Sequence, residues 1–176
     1  MADDAILSTM LSICLFHPEI PQNTGNIART CAVTGTRLHL VRPLGFDISE
    51  KSVRHAGLDY WSEVDITVHD SIEAFMEEHG SDELWFFSKK GQKAYTDQAF
   101  RKDGCTYFIF GPESTGLDES LLSAYPDRVL RIPMVHGVRC LNLSNSAAIA
   151  AYEYYRQLGF PGFETEWEGA GLREDL

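Results

Sequence analysis

Apolar residues along the chain fall into short runs separated by polar or Gly- and Pro-containing stretches. Residues 11–16, 37–41, 65–69, 83–88, 105–110 and 129–134 are runs of strand length. Pro133 belongs at the end of the last run rather than at its hydrogen-bonded centre, because proline has no amide to donate. Helical spacing lies between them. Residues 21–33 open on Pro21, whose missing amide hydrogen costs nothing in a first helical turn. Residues 71–79 carry a Ser71 cap, spaced Ile72, Phe75 and Met76, and Gly80 as terminator. Residues 144–158 are the clearest helix: an alanine-rich centre, a shared apolar side of Tyr152, Tyr155 and Leu158, and Gly159 to end it. The succession is mainly βα, which predicts an α/β fold with a mainly parallel sheet and flanking helices.

Length supports one core rather than two, since 176 residues divided in half would leave each part near the size where burial barely offsets chain entropy. The reading is a single domain over residues 11–162, a short polar leader at 1–10 and an acidic tail at 163–176 with Trp167 as a docking anchor. Net charge is −11, which excludes a broadly basic protein that coats DNA. Residues 1–10 contribute −2 of this and residues 160–176 contribute −4, so a local basic patch elsewhere is still allowed. Apolar runs stop well short of a bilayer span, and acidic residues follow Met1 where a secretory signal would be basic, so a cytoplasmic protein without membrane attachment is expected. Cys14, Cys31, Cys105 and Cys140 form no CxxC pair and read as thiols. The six histidines, His17, His39, His55, His69, His79 and His136, show no metal-ligand spacing and read as surface or structural residues, with His136 a reserve acid or base. A GxSxG elbow is missing, and the first strand is not followed by GxGxxG, which argues against a serine hydrolase and a Rossmann oxidoreductase.

Three polar or glycine-rich segments each follow a strand, where open α/β sheets place their ligands. In residues 18–30, Asn23 and Asn26 can satisfy backbone groups, Gly25 permits a tight chain path, and Arg29 lies at helical spacing from Asn26. An arginine there suits a phosphate contact but is too basic to serve as an unassisted proton acceptor. In residues 110–117, Gly111 and Gly116 let the main chain approach a ligand, Glu113 accepts hydrogen bonds and Leu117 closes an apolar wall. Residues 131–153 place Arg139, Asn142, Ser144 and Asn145 just before the long helix. Ser144 or Asn145 alone would be an ordinary cap, and the amides of Ile132, Leu141 and Leu143 can recognise an adenine or a ribose.

NTGNIART at 23–30, FGPESTGL at 110–117, and IPM at 132–134 followed by VRCLNLSNSAAIAAYE at 138–153 together resemble the SPOUT class of RNA 2′-O-methyltransferases, especially its small tRNA cytidine/uridine-34 members. The resemblance runs from about residue 11 to residue 162. It implies a C-terminal deep trefoil knot, which general topology would oppose. It also implies a homodimer, S-adenosyl-L-methionine as methyl donor with no metal required, and the anticodon stem-loop of tRNA as partner. Carried over position by position, it places the cofactor near Phe87, Gly111, Ile132 and Cys140, with Glu113, Leu117, Leu141, Asn142 and Leu143 in support. Phe87 and Cys140 stand where close family members can carry Leu and Ser, departures that are compatible with main-chain recognition there. Arg29 is the leading catalytic and RNA-positioning residue. Ser144 and Asn145 join it as catalytic residues and with Arg139 organise the adjoining site, Tyr152 helps form a dimer-built substrate surface, and Asn23, Asn26, Lys90, Arg139 and Tyr152 are RNA contacts. The competing readings are a SPOUT enzyme acting at another tRNA or rRNA position, and an RNA-binding protein that has lost turnover.

Overall fold

A computed structural model describes residues 9–48 and 61–166. Most of the leader, His55, Trp167 and the rest of the tail lie outside the described residues. The elements in chain order are β1 (Thr9–Phe16), α1 (Pro21–Thr34), β2 (Arg37–Val41), β3 (Ile66–His69), α2 (Ile72–His79), β4 (Glu83–Phe87), β5 (Lys93–Ala94), β6 (Gly104–Phe110), α3 (Glu119–Ala124), β7 (Val129–Arg131) and α4 (Leu143–Leu158), with short 3-10 turns between some of them. They build one sheet in the order β3-β2-β1-β6-β4-β7-β5, and every pairing in it is parallel.

Parallel strands covered on both faces read as continuous apolar runs whose side chains alternate between two cores. That is the arrangement here. Leu11, Ile13 and Leu15 of β1, Trp85 and Phe87 of β4, and Phe108 and Phe110 of β6 pack on one face with Ile27, Ala28 and Cys31 of α1 and Ala147, Ala150, Ala151, Tyr154 and Tyr155 of α4. On the opposite face Cys14, Phe16, Leu84, Phe86, Tyr107 and Ile109 pack with Phe75 of α2 and Leu122 of α3. Among the described residues, no helix is long and apolar enough to cross a membrane.

Several local expectations hold in detail. Ser71 caps α2 by accepting from the Ala74 amide at 3.1 Å, and Gly159 ends α4 in the left-handed region at φ 80°, where glycine carries no Cβ penalty. Gly80 ends α2 with an ordinary right-handed φ of −62°. Other expectations need correction. Gly25 lies inside α1 and makes no tight turn. The last long strand stops at Arg131 rather than at residue 134, because its neighbours β4 and β5 pair with it no further than that residue. The cap of α4 is Asn142, with Leu143 as the first helical residue, so neither Ser144 nor Asn145 caps it. Six-residue α3 and two-residue β5 escape sequence reading because neither is long enough to display a period.

The order of the strands fixes where a ligand can enter. From β1 the chain crosses to β2 on one side, and from β6 it crosses to β7 on the other, although β1 and β6 are neighbours. Loops leaving adjacent strands in opposite directions open a crevice at the carboxyl edge of the sheet.

Candidate functional site

At that crevice the loops after β1 and β6 are bolted together by two glutamates. Glu113 accepts from the Glu19 amide at 2.8 Å and the Ile20 amide at 3.3 Å. In return Glu19 accepts from the Ser114 amide at 2.8 Å and the Ser114 hydroxyl at 2.7 Å, and these bonds hold its carboxyl below the usual carboxylate range. A buried asparagine carries the connection onward. Asn23 donates from Nδ2 to Glu113 at 3.0 Å and accepts from Asn142 Nδ2 at 2.9 Å. Asn142 Oδ1 then accepts from the Ser144 amide at 2.9 Å, the Ser144 hydroxyl at 2.7 Å and the Asn145 amide at 3.4 Å. One chain of side chains thus joins all three motif segments and fixes the start of α4.

These loops enclose a cavity of about 390 Å³, within the range of small-molecule sites. Its aromatic wall is Phe87 and Phe110, whose rings stack with centroids 4.9 Å apart at the ends of neighbouring strands. Leu117, Ile132, Leu141 and Leu143 add apolar surface. At Gly111 a Cβ would lie 2.4 Å from the Gly116 carbonyl carbon and the Leu117 nitrogen, so only glycine lets this loop fold against itself. Residues 132–142 form no regular helix or strand on the far side.

All nine residues expected near a cofactor, Phe87, Gly111, Glu113, Leu117, Ile132, Cys140, Leu141, Asn142 and Leu143, line this one cavity, together with Asn23 and Lys90. Lys90 is held by an ion pair with Glu119 at the start of α3, whose carboxyl is lowered by that contact. Ser144 is buried with its hydroxyl turned to Asn142, which is a positioning arrangement. Arg29, Asn26, Arg139 and Asn145 are exposed and stand outside the cavity lining, as does Tyr152 on the outer side of α4. Sequence reading missed Glu19 and Ser114, whose partnership spans 95 positions and leaves no local signal. It also passed over Phe110 as a wall and Ser88, Lys89 and Met134 as lining residues.

The sequence model of the SpoU rRNA Methylase family matches residues 10–152. The chain belongs to that family. An Escherichia coli (strain K12) protein named tRNA (cytidine(34)-2'-O)-methyltransferase is 46% identical over 154 residues, covering 87% of this chain and 97% of its own. A solved structure from Bacillus anthracis superposes with a TM-score of 0.83 at 50% identity, covering 89% of this chain and 99% of that one. A second, described as giving structural insights into the 2-OH methylation of C/U34 on tRNA, superposes with a TM-score of 0.77 at 48% identity, covering 85% and 97%. The two matches of about half identity extend over nearly the whole of both chains, so the SpoU membership carries the α/β fold with its parallel sheet as well.

Proposed function

We propose that the chain transfers a methyl group from S-adenosyl-L-methionine to the ribose 2′-oxygen of the wobble nucleotide, cytidine or modified uridine 34, in the anticodon stem-loop of tRNA. The observation that carries the reading is the convergence of three sequence-distant motifs on one cavity, in a member of a methylase family whose relatives are named for that reaction. The lining fits the donor: stacked aromatics and leucines suit an adenine and the methylene groups beside its sulfonium, and a glycine main chain packed against itself admits a ligand closely. Phe87, Gly111, Leu117, Ile132, Leu141 and Leu143 would hold it, while Glu113 and Asn142 keep the loops in register. When bound, the donor supplies an electrophilic methyl carbon on a sulfonium with a good leaving group, so no metal is needed at the reacting centre.

The protein's work is then alignment of the 2′-oxygen with that carbon and control of the hydroxyl proton. Arg29 positions the target phosphate or 2′-oxygen from α1. Asn26, Arg139 and Asn145 extend the exposed polar surface around the site, with Ser144 fixing its geometry through Asn142. Because Arg29 and Tyr152 lie outside the cavity lining of a single protomer, a homodimer that brings a second copy's early and late helices to the RNA is the arrangement we favour. Segment 132–142 returns from β7, near one sheet edge, to α4, which packs on α1, and this return suits the deep knot of the class. Incubating the protein with labelled donor and undermodified total tRNA, followed by nucleotide-resolution mapping, tests donor, acceptor and position together. Methylation only at another nucleotide rejects the wobble assignment, and binding without transfer rejects the enzyme. Arg29→Ala should keep the fold and donor binding and lower methyl transfer at least about 100-fold; unchanged turnover at saturating substrates removes it from the reaction.

A further inference from the structure

Three of the histidines that sequence spacing leaves apart meet on the sheet face opposite α1 and α4. His39 comes from β2, His69 from the last position of β3 and His79 from the last turn of α2. One ring nitrogen of each lies within 4.8 Å of one on each of the others. His39 and His69 are buried, and the side chain of His79 is only 13% exposed. None of the three lines the cavity.

We propose that His39, His69 and His79 form a binding site for a divalent first-row transition metal of the zinc class, with a structural role that ties β2, β3 and α2 together. The donor set is the first support, because imidazole nitrogens select such ions over calcium or magnesium. A second is the state of His79: its Nδ1 faces the Tyr107 hydroxyl at 2.9 Å and Asp82 Oδ2 at 3.3 Å, while its buried Nε2 has no hydrogen-bond partner. A ligating histidine held by a carboxylate or hydroxyl through its other nitrogen is the usual pattern of metal sites. Third, the exposed Glu78 carboxylate lies 3.5 Å from His79 Nε2 and 3.7 Å from His69 Nδ1 and places negative charge beside the cluster. His39 Nδ1 and His69 Nε2 are hydrogen-bonded to each other at 2.9 Å, a bond that an ion held by both rings would replace.

The untagged full-length chain, purified with and without added Zn²⁺, should be analysed for metal content and titrated with Co²⁺ while the visible absorption of four-coordinate cobalt is followed. One Co²⁺ per chain, displaced by Zn²⁺, is expected, with binding at least about ten-fold weaker in His79→Gln and unchanged in His17→Gln. Thermal melting should rise with Zn²⁺ in the parent protein and not in His79→Gln. If the parent binds no stoichiometric Co²⁺, or if His79→Gln binds as well as the parent, the three imidazoles are only a hydrogen-bonded core cluster and the site is overturned. Should His79→Gln not fold, X-ray absorption of the zinc-loaded parent decides: three imidazole ligands support the site and fewer overturn it.

Discussion

Glu113 has the composition of a ligand-binding residue and the geometry of a rivet. A carboxylate that accepts from two amides of the β1–α1 loop and from Asn23 holds one side of the crevice to the other. Glu113→Ala should therefore cost about 1–3 kcal/mol of stability in urea unfolding, and it should weaken donor binding in calorimetry, because the opposing loops lose their register. Gly111 separates the two effects. A methyl group there meets the Gly116–Leu117 peptide at 2.4 Å, so Gly111→Ala should reduce donor affinity at least about ten-fold while the sheet beneath, built from β1 and β6, keeps its circular dichroism. Full affinity in that variant means that the loop does not touch the donor. The type of residue at both positions was legible as pocket chemistry, whereas the partners of Glu113 were not, since Glu19 and Asn23 lie 94 and 90 positions away.

Among the helices, α4 was the easiest to read and does the most, with alanines and tyrosines buried on the sheet and its N-terminus tied to the cavity. Glu153 on this helix is a buried carboxylate whose function is fixation: it accepts from Arg156 Nε at 2.7 Å, Arg156 Nη2 at 2.8 Å and Gln157 Nε2 at 2.8 Å. The Arg156 hydrogen bonds hold its carboxyl below the usual range against the opposing effect of burial, and Gln157 adds to them. A carboxyl whose folded pKa is lowered binds fewer protons folded than unfolded, so its stabilisation is present above the unfolded pKa and is lost as pH falls through the folded one. Glu153→Gln should flatten the acid limb of the stability profile, measured by urea unfolding from about pH 6 to about pH 3; an unchanged slope means that the pair contributes nothing to the fold. Strand positions were legible because burial on both faces demands uninterrupted apolar runs. Boundaries were less so: Pro133 permitted a strand to residue 134, and pairing ended it at Arg131 because β4 and β5 reach no further along β7.

For the whole molecule, the exposed apolar residues Ile149 (37%) and Tyr152 (45%) lie three positions apart on the outer side of α4, where they suit the second copy of the proposed dimer. Replacing both with Glu should convert the dimer to a monomer in light scattering and abolish methyl transfer while donor binding in the cavity persists. A monomeric variant with full turnover would show that one protomer suffices.

Composition and periodicity determined by themselves an α/β fold with a parallel sheet, and three motifs indicated which loops line the cavity. Both are local properties: burial on two faces writes apolar runs into the strands, and main-chain approach to a ligand writes glycines into the loops. Only the tertiary structure decided that β1 and β6 are neighbours with loops departing in opposite directions, that Glu19 meets Ser114 across 95 positions, and that ring nitrogens of His39, His69 and His79 come within 4.8 Å of one another. Such meetings depend on strand order, and strand order follows from how the crossovers close the sheet rather than from the pattern within any one segment.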